Sequence, residues 1–140
     1  MFFFPFADEN PTTTKPIISW SIIFICSLIF LNYIFEQEYI KEQIFLSFGM
    51  IPAILFGHSE LSSSLKVVPA FISIITSMFL HGGWMHLIAN MTYLYIFGDN
   101  IEENLGKIKF IIFYLLTGGF AALSQALLDT NSITPMIGAS

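Results

Sequence analysis

The uncharged run of residues 67–98 constrains this chain more than any other feature, because it holds no Asp, Glu, Lys or Arg. A run of that length is typical of membrane-embedded structure, since one transmembrane helix needs ~20 apolar residues. The run nevertheless contains His81, His86 and Asn90. An unpaired polar side chain in hydrocarbon costs several kcal/mol. These three side chains therefore have specific partners or a function.

The spacing of His86 and Asn90 places both side chains on one face of a helix. A helix advances about 100° per residue, so these two residues lie ~40° apart, whereas His81 lies ~140° from His86. Two hydrogen-bond donors aimed at one place suit a developing negative oxygen. The five-residue step from His81 to His86 differs from the four-residue step usual for a two-histidine metal site. The alternative is that His86 and Asn90 bond neighbouring helices and fix their packing.

The composition indicates a polytopic membrane protein of one domain. Hydrophobic residues make up 55% of the 140 residues and charged residues 11%, unlike a soluble domain. The net charge of −5 excludes a basic surface for nucleic acid. Cys26 is the only cysteine, so neither a disulfide framework nor a cysteine metal site is predicted. No cofactor is implied.

Along the chain, the pattern predicts a polar leader at residues 1–15 and a membrane domain at residues 16–140. Three spans are expected at about 16–35, 82–98 and 108–128. Trp20 and Tyr33 are expected as interfacial aromatics near the ends of the first span.

Residues 36–81 are predicted to form one long interfacial loop. The loop is interrupted by Gly49, Pro52 and Gly57. His58, within it, is expected to be an ordinary exposed histidine.

Residues 99–109 are predicted to connect the second and third spans. Gly98, Glu102 and Gly106 are spaced by four and share one side if the segment is helical. The alternative is an exposed turn with a helix stop at Gly106. In the third span, Gly118 and Gly119 suggest close helix approach.

The distribution of lysines favours an N-terminus on the inner side of the membrane. Three lysines, Lys15, Lys107 and Lys109, lie in the segments expected on the inner side, and two, Lys41 and Lys66, lie in the long loop expected on the outer side.

Taken together, these motifs resemble the rhomboid family of intramembrane serine proteases. In that family a histidine and an asparagine at this spacing follow a histidine five positions earlier, as His81 precedes His86. The family nucleophile lies in a Gly-x-Ser-Gly motif at the start of the fourth span, and Gly138-Ala139-Ser140 matches its first three positions. The Glu102-x-x-x-Gly106 pattern and the leader Asp8-Glu9-Asn10-Pro11 also agree.

The resemblance implies an all-α, rhomboid-like membrane helical bundle with three of an expected six transmembrane helices present. It implies that Ser140 is the nucleophile and that its backbone N–H contributes to the oxyanion hole. His86 and Asn90 would supply the side-chain donors. Structural support is implied for the remaining motif residues, His81, Gly138, Glu102 and Gly106.

The resemblance also corrects the assignment of the general base. From the residues alone, His86 is the natural base for Ser140, because a serine hydroxyl needs a neighbouring base. In rhomboids the base is a different histidine, on the sixth span. We therefore expect these 140 residues to be the N-terminal portion of a longer reading frame and to be inactive alone.

The expected function is intramembrane cleavage of transmembrane protein substrates. The expected location is a bacterial inner (plasma) membrane, as a multi-pass protein whose partners are those substrates and the bilayer. The alternative is a catalytically inactive rhomboid-like protein that binds transmembrane helices. A small channel or transporter subunit would explain the spans but not the ordered set of His81, His86, Asn90 and Ser140.

Overall fold

The computed structural model describes residues 13–138, which form six α-helices. The predicted all-α class is confirmed for this part of the chain, where one isolated antiparallel bridge joins Met50 and Met136. The leader motif Asp8-Glu9-Asn10-Pro11 lies outside the described residues. The helices are α1 Ile17–Tyr33, α2 Glu38–Phe48, α3 Pro52–Leu55, α4 Ala70–Ser77, α5 Trp84–Leu105 and α6 Lys107–Leu128.

One of the helices in residues 13–138, α6, is both long and apolar enough to cross a membrane. Helix α1 is apolar but has 17 residues, slightly fewer than the ~20 that a bilayer usually requires. Helix α5 carries Asp99, Glu102 and Glu103 in its last turns. The expected total of three spans therefore stays a prediction.

The second predicted span and the connection after it have different bounds in the structure. Helix α5 runs from Trp84 to Leu105 rather than from 82 to 98, so most of the predicted connection 99–109 is helical. Only Gly106 separates α5 from α6, with φ of 77°. Glycine adopts this left-handed conformation without the steric cost of a Cβ. The polar residues therefore extend the helix, and the break comes at the glycine.

The predicted interfacial loop at residues 36–81 contains three short helices, α2, α3 and α4, and its position at the membrane interface stays a prediction. The breakers divide the segment into short helices instead of preventing them. Gly49 is extended and ends α2, and Pro52 occupies the first turn of α3, where its missing N–H is harmless. Gly57 has φ of 75° just after α3.

Helices α1 and α5 lie antiparallel in close contact. A Cβ on Gly98 would lie 2.8 Å from Ser19 Oγ, so a glycine is needed for this approach. The Gly118 position likewise allows close packing, because a Cβ there would overlap the end of the Met78 side chain. The neighbour of Gly118 is thus the end of α4, not another long helix.

Glu102 caps the N-terminus of α1 from the neighbouring helix. The N-cap residue, Pro16, offers no side-chain hydrogen bond, and the first N–H groups of a helix have no partner within it. The Glu102 carboxylate accepts the N–H groups of Ile18 at 3.0 Å and Ser19 at 2.8 Å, and the Ser19 hydroxyl at 2.9 Å. Its side chain is 3% exposed. A buried negative charge also suits the positive end of the helix dipole.

Candidate functional site

The candidate site forms where the first two turns of α5 meet the segment before residue 139. Gly83, in an extended conformation, precedes α5, so His86 and Asn90 lie near the start of the helix. A Cβ on Gly138 would lie 2.5 Å from His86 Nε2 and 3.6 Å from Asn90 Nδ2. The structure therefore brings together three residues that the sequence singled out.

Gly138 occupies a position that requires glycine. Its φ is +93°, a value that side-chain-bearing residues rarely adopt. Any side chain would also collide with the His86 ring. The Gly138 N–H donates to the carbonyl oxygen of Ser77 at 2.8 Å, which uses one of the free carbonyls at the end of α4. Both the backbone angle and the contacts fix this residue against α5.

The Asn90 side chain presents an unused donor. Its Nδ2 atom is buried and donates to no acceptor within residues 13–138. A buried donor without an acceptor costs about 1–3 kcal/mol, so such a group is retained at a functional site more readily than in a simple packing contact. The atom lies close to Gly138.

The His86 ring faces Gly138 with its Nε2 atom. Its other nitrogen, Nδ1, accepts a long hydrogen bond of 3.4 Å from the Gly82 N–H. A neutral imidazole that accepts at Nδ1 carries its proton on Nε2. The side of His86 that faces Gly138 is therefore a donor.

His81 is completely buried between α4 and α5, and its backbone is held by Tyr33. The His81 N–H donates to Tyr33 Oη at 2.8 Å, and the Tyr33 hydroxyl donates to the His81 carbonyl at 2.7 Å. The His81 ring packs edge-on against His86, with centroids 5.1 Å apart. The His81 ring therefore lies in the protein interior, in contact with the His86 ring.

Tyr33 is a site-supporting residue that the sequence reasoning missed. It was expected at a membrane interface, but it is 2% exposed and belongs to the core. The partner of its hydroxyl lies 48 residues away in the chain. The sequence signal for Tyr33 was its position at the end of an apolar helix, and that position is also typical of interfacial aromatics.

Ser140 and Ala139 lie outside the described residues. In the sequence Ser140 follows Gly138 by two residues. A meeting of the Ser140 hydroxyl with these donors stays a prediction.

A cavity of about 240 Å³ adjoins Gly138 between α4 and α6. Its polar lining includes Ser77 and Gln125, and Gly118, Ile137 and Gly138 form part of the remaining wall. Within residues 13–138, no group of three or more His, Cys, Asp or Glu side chains could hold a metal ion. His86 and Asn90 thus offer hydrogen-bond donors near a small cavity whose lining is partly polar.

Comparison with known proteins agrees with this picture. The Rhomboid domain family matches residues 69–140. Rhomboid-like protein 11, chloroplastic, of Arabidopsis thaliana is 38% identical over 73 residues, which cover 51% of this chain and 25% of that protein. RHOMBOID-like protein 6, mitochondrial, of the same plant is 39% identical over 67 residues, 48% of this chain and 21% of that protein. No solved structure matches significantly.

The helical fold and the matched segment define a helical membrane protein. The chain belongs to the rhomboid family. The aligned segments span about a quarter or less of the length of these relatives. The relatives are plant proteins, two of them named as chloroplastic and mitochondrial, so they give no support to the bacterial location expected from the sequence.

Proposed function

We propose that the full-length product of this gene is an intramembrane serine endopeptidase that cleaves transmembrane protein substrates. In this proposal Ser140 is the nucleophile, and His86 and Asn90 stabilise the oxyanion. The observation that carries the proposal is the placement of Gly138 against His86 Nε2 and Asn90 Nδ2. Ser140, the residue expected to attack, follows two positions after Gly138, and Gly138 contacts both donors.

The chemistry of the two side chains supports donation. The Ser140 hydroxyl would attack the peptide carbonyl, and the carbonyl oxygen would become an oxyanion. Asn90 Nδ2 is buried without an acceptor in the described part of the chain, and His86 presents a protonated Nε2 to the same place. Donors that are already in position need no reorganisation as the charge develops, and losing one typically costs ~10²–10³ in rate.

The same geometry argues against His86 as the general base. A base accepts the serine proton through an unprotonated nitrogen, whereas His86 Nδ1 already accepts the Gly82 N–H. The His81 ring is fully buried against His86, and the His81 backbone is bonded to Tyr33, which suits a structural role. The proposal therefore places the base on a histidine beyond residue 140, as the family resemblance implies.

Hydrolysis also requires water at membrane depth. The cavity beside Gly138, with the Gln125 amide in its lining, is large enough for water, which needs only ~30 Å³ per molecule. Water there would hydrolyse the acyl-enzyme after the amine product leaves.

We also propose that the N-terminus lies on the inner side of the membrane, because of the lysine distribution.

The test is cleavage of a transmembrane substrate by the full-length protein in detergent or liposomes. We expect Ser140→Ala to abolish cleavage, and His86→Ala and Asn90→Ala each to lower kcat by ~10²–10³. Cleavage that survives Ser140→Ala would overturn the proposal. Binding of the substrate helix by the wild type without any cleavage would favour the inactive rhomboid-like alternative.

A further inference from the structure

An apolar groove of about 570 Å³ lies between α1, α2 and α4, and we call it the side groove. It shares no lining residue with the cavity beside Gly138, so it is a separate feature of the described part of the chain. A volume of this size is typical of small-molecule sites. Its walls are formed by Ile25, Ile29, Asn32 and Tyr33 of α1, Ile44 and Phe48 of α2, Thr76 of α4, and Phe79 and Leu80 just after α4.

The length of the side groove suits a lipid acyl chain. The lining residues of α1 extend from Ile25 to Tyr33 along one face, and eight residues rise about 12 Å at 1.5 Å per residue. One leaflet of the hydrocarbon core is about 15 Å thick, half of the ~30 Å of the whole core. A chain lying in the side groove would therefore contact α1 over most of one leaflet.

Asn32 supplies an acceptor at the end of this apolar wall. Its Nδ2 atom donates to the Leu28 carbonyl at 2.7 Å, and its Oδ1 atom accepts no hydrogen bond within residues 13–138. The two hydroxyl groups in the lining are already bonded, Tyr33 to His81 and Thr76 to Phe48. A polar side chain on an apolar membrane-facing surface is costly and marks a functional site. The ligand of the side groove should thus carry a hydrogen-bond donor near Asn32.

The charges next to the Asn32 end have both signs, with an excess of acid. Glu36, Glu38 and Glu42 surround a single cation, Lys41. Lys41 lies two helical turns before Phe48 and so on the face of α2 that lines the side groove. Lys41 pairs with Glu38 at 2.9 Å, whereas Glu36 and Glu42 have no ion-pair partner in the part of the chain that the structure describes. These charges complement a zwitterion better than an anion.

We propose that the side groove binds one molecule of phosphatidylethanolamine. One acyl chain lies along Ile25 and Ile29. The headgroup ammonium donates to Asn32 Oδ1 and neutralises the carboxylate of Glu36, while the phosphate lies near Lys41. A choline headgroup has no N–H to donate, and a glycerol headgroup has no cation, so the proposal commits to the ethanolamine lipid. The proposal takes α1 as the first predicted span and does not depend on the proposed function.

The test is photocrosslinking of the full-length protein in detergent with phosphatidylethanolamine that carries a diazirine on one acyl chain. Mass spectrometry of the peptides locates the crosslink, which we expect at residues 25–33 or 44–48. Unlabelled phosphatidylethanolamine, phosphatidylcholine and phosphatidylglycerol with the same acyl chains then compete with the probe. We expect the ethanolamine lipid to compete about tenfold better than the other two, as for one hydrogen bond to a charged group.

A matched pair of variants tests the place of binding. Ile29→Trp fills the side groove and should lose the crosslink, whereas Leu28→Trp, at an exposed position outside the lining, should keep it. Thermal unfolding of both variants shows whether they are folded. Asn32→Leu removes the acceptor but keeps an apolar wall, so the crosslink should remain while the preference for the ethanolamine lipid over the choline lipid disappears.

Four results would overturn the proposal. Equal competition by the three lipids would mean that the side groove only contacts bulk lipid, and stronger competition by phosphatidylglycerol would mean that an anion binds. A crosslink that persists in folded Ile29→Trp would place the lipid elsewhere. An unchanged lipid preference in Asn32→Leu would remove the role of the acceptor. The assay includes no cleavage step, so its outcome is distinct from success or failure of the proposed function.

Discussion

Replacing Glu102 by alanine should destabilise the packing of α1 on α5 more than any other single change in a charged residue of the described part. The Glu102 carboxylate accepts hydrogen bonds from the Ile18 N–H, the Ser19 N–H and the Ser19 hydroxyl, at 2.8 to 3.0 Å. No side chain of α1 caps these N–H groups. In Glu102→Ala they would be left buried without acceptors.

The magnitude follows from the groups that lose partners. Each of the two backbone N–H groups costs about 1–3 kcal/mol when left unsatisfied, and loss of a helix cap costs about 0.5–2 kcal/mol for the same groups. We therefore expect Glu102→Ala to lower the free energy of unfolding by about 3–5 kcal/mol, as for breaking other buried charged networks. Glu102→Gln keeps one acceptor oxygen and should lose about 2 kcal/mol.

The assay is thermal unfolding of the full-length protein in detergent, followed by circular dichroism. The control is Glu103→Ala, in the next residue of the same helix, because that carboxylate is exposed and, within residues 13–138, binds Thr13 and Thr14. Ser19→Ala removes one hydrogen bond and should lower the free energy of unfolding by about 1 kcal/mol. In the double variant Ser19→Ala/Glu102→Ala the total loss should be smaller than the sum of the two single losses, because both changes remove the same bond. Equal shifts in Tm for Glu102→Ala and Glu103→Ala would refute the reasoning.

Three further outcomes follow from contacts elsewhere. Gly138→Ala should lower cleavage at least ~10²-fold through displacement of the site, while its backbone strain costs only about 1–3 kcal/mol; a variant with wild-type kcat would contradict this. Gly118→Ala should lower Tm much less than Glu102→Ala, because the added Cβ meets the flexible end of the Met78 side chain, which can move aside; an equally large fall in Tm would contradict this. Hydrogen bonds from Thr13 lower the pKa of Glu103 below its usual 4.5, so the stabilisation from the Thr13–Glu103 contact is fully present above the pKa that Glu103 has in the unfolded chain. This stabilisation is lost as the pH falls through the lower pKa of the folded protein. The NMR resonance of the Thr13 amide should therefore shift with pH in that range, and should not do so in Glu103→Gln.

The local parts of the site could be predicted from the sequence because helix geometry fixes them. The four-residue spacing of His86 and Asn90 defines a common face wherever the segment is helical. The structure places both beside Gly138. The spacing of Gly98 and Glu102 likewise predicted a shared side, and both face Ser19.

The long-range contacts could not be predicted, because no local pattern encodes them. Tyr33 and His81 are 48 residues apart, Ser19 and Glu102 are 83 apart, and His58 and Thr130 are 72 apart. The short helices α2 to α4 were hidden for another reason. Gly49 and Pro52 are typical of loops in a sequence, but in the structure they mark where helices end and begin.

These long-range contacts explain why α5 presents His86 and Asn90 in one fixed direction. Helix α1 holds α5 at both ends: Ser19 bonds Glu102 near the end of α5, and Tyr33 bonds the backbone of His81 just before its start. A helix fixed at two ends against an antiparallel neighbour can neither rotate nor slide without breaking buried hydrogen bonds. The donors of an oxyanion hole contribute most when they do not move as charge develops. The polar groups that bind α1 to α5 therefore supply the rigidity that the proposed chemistry requires.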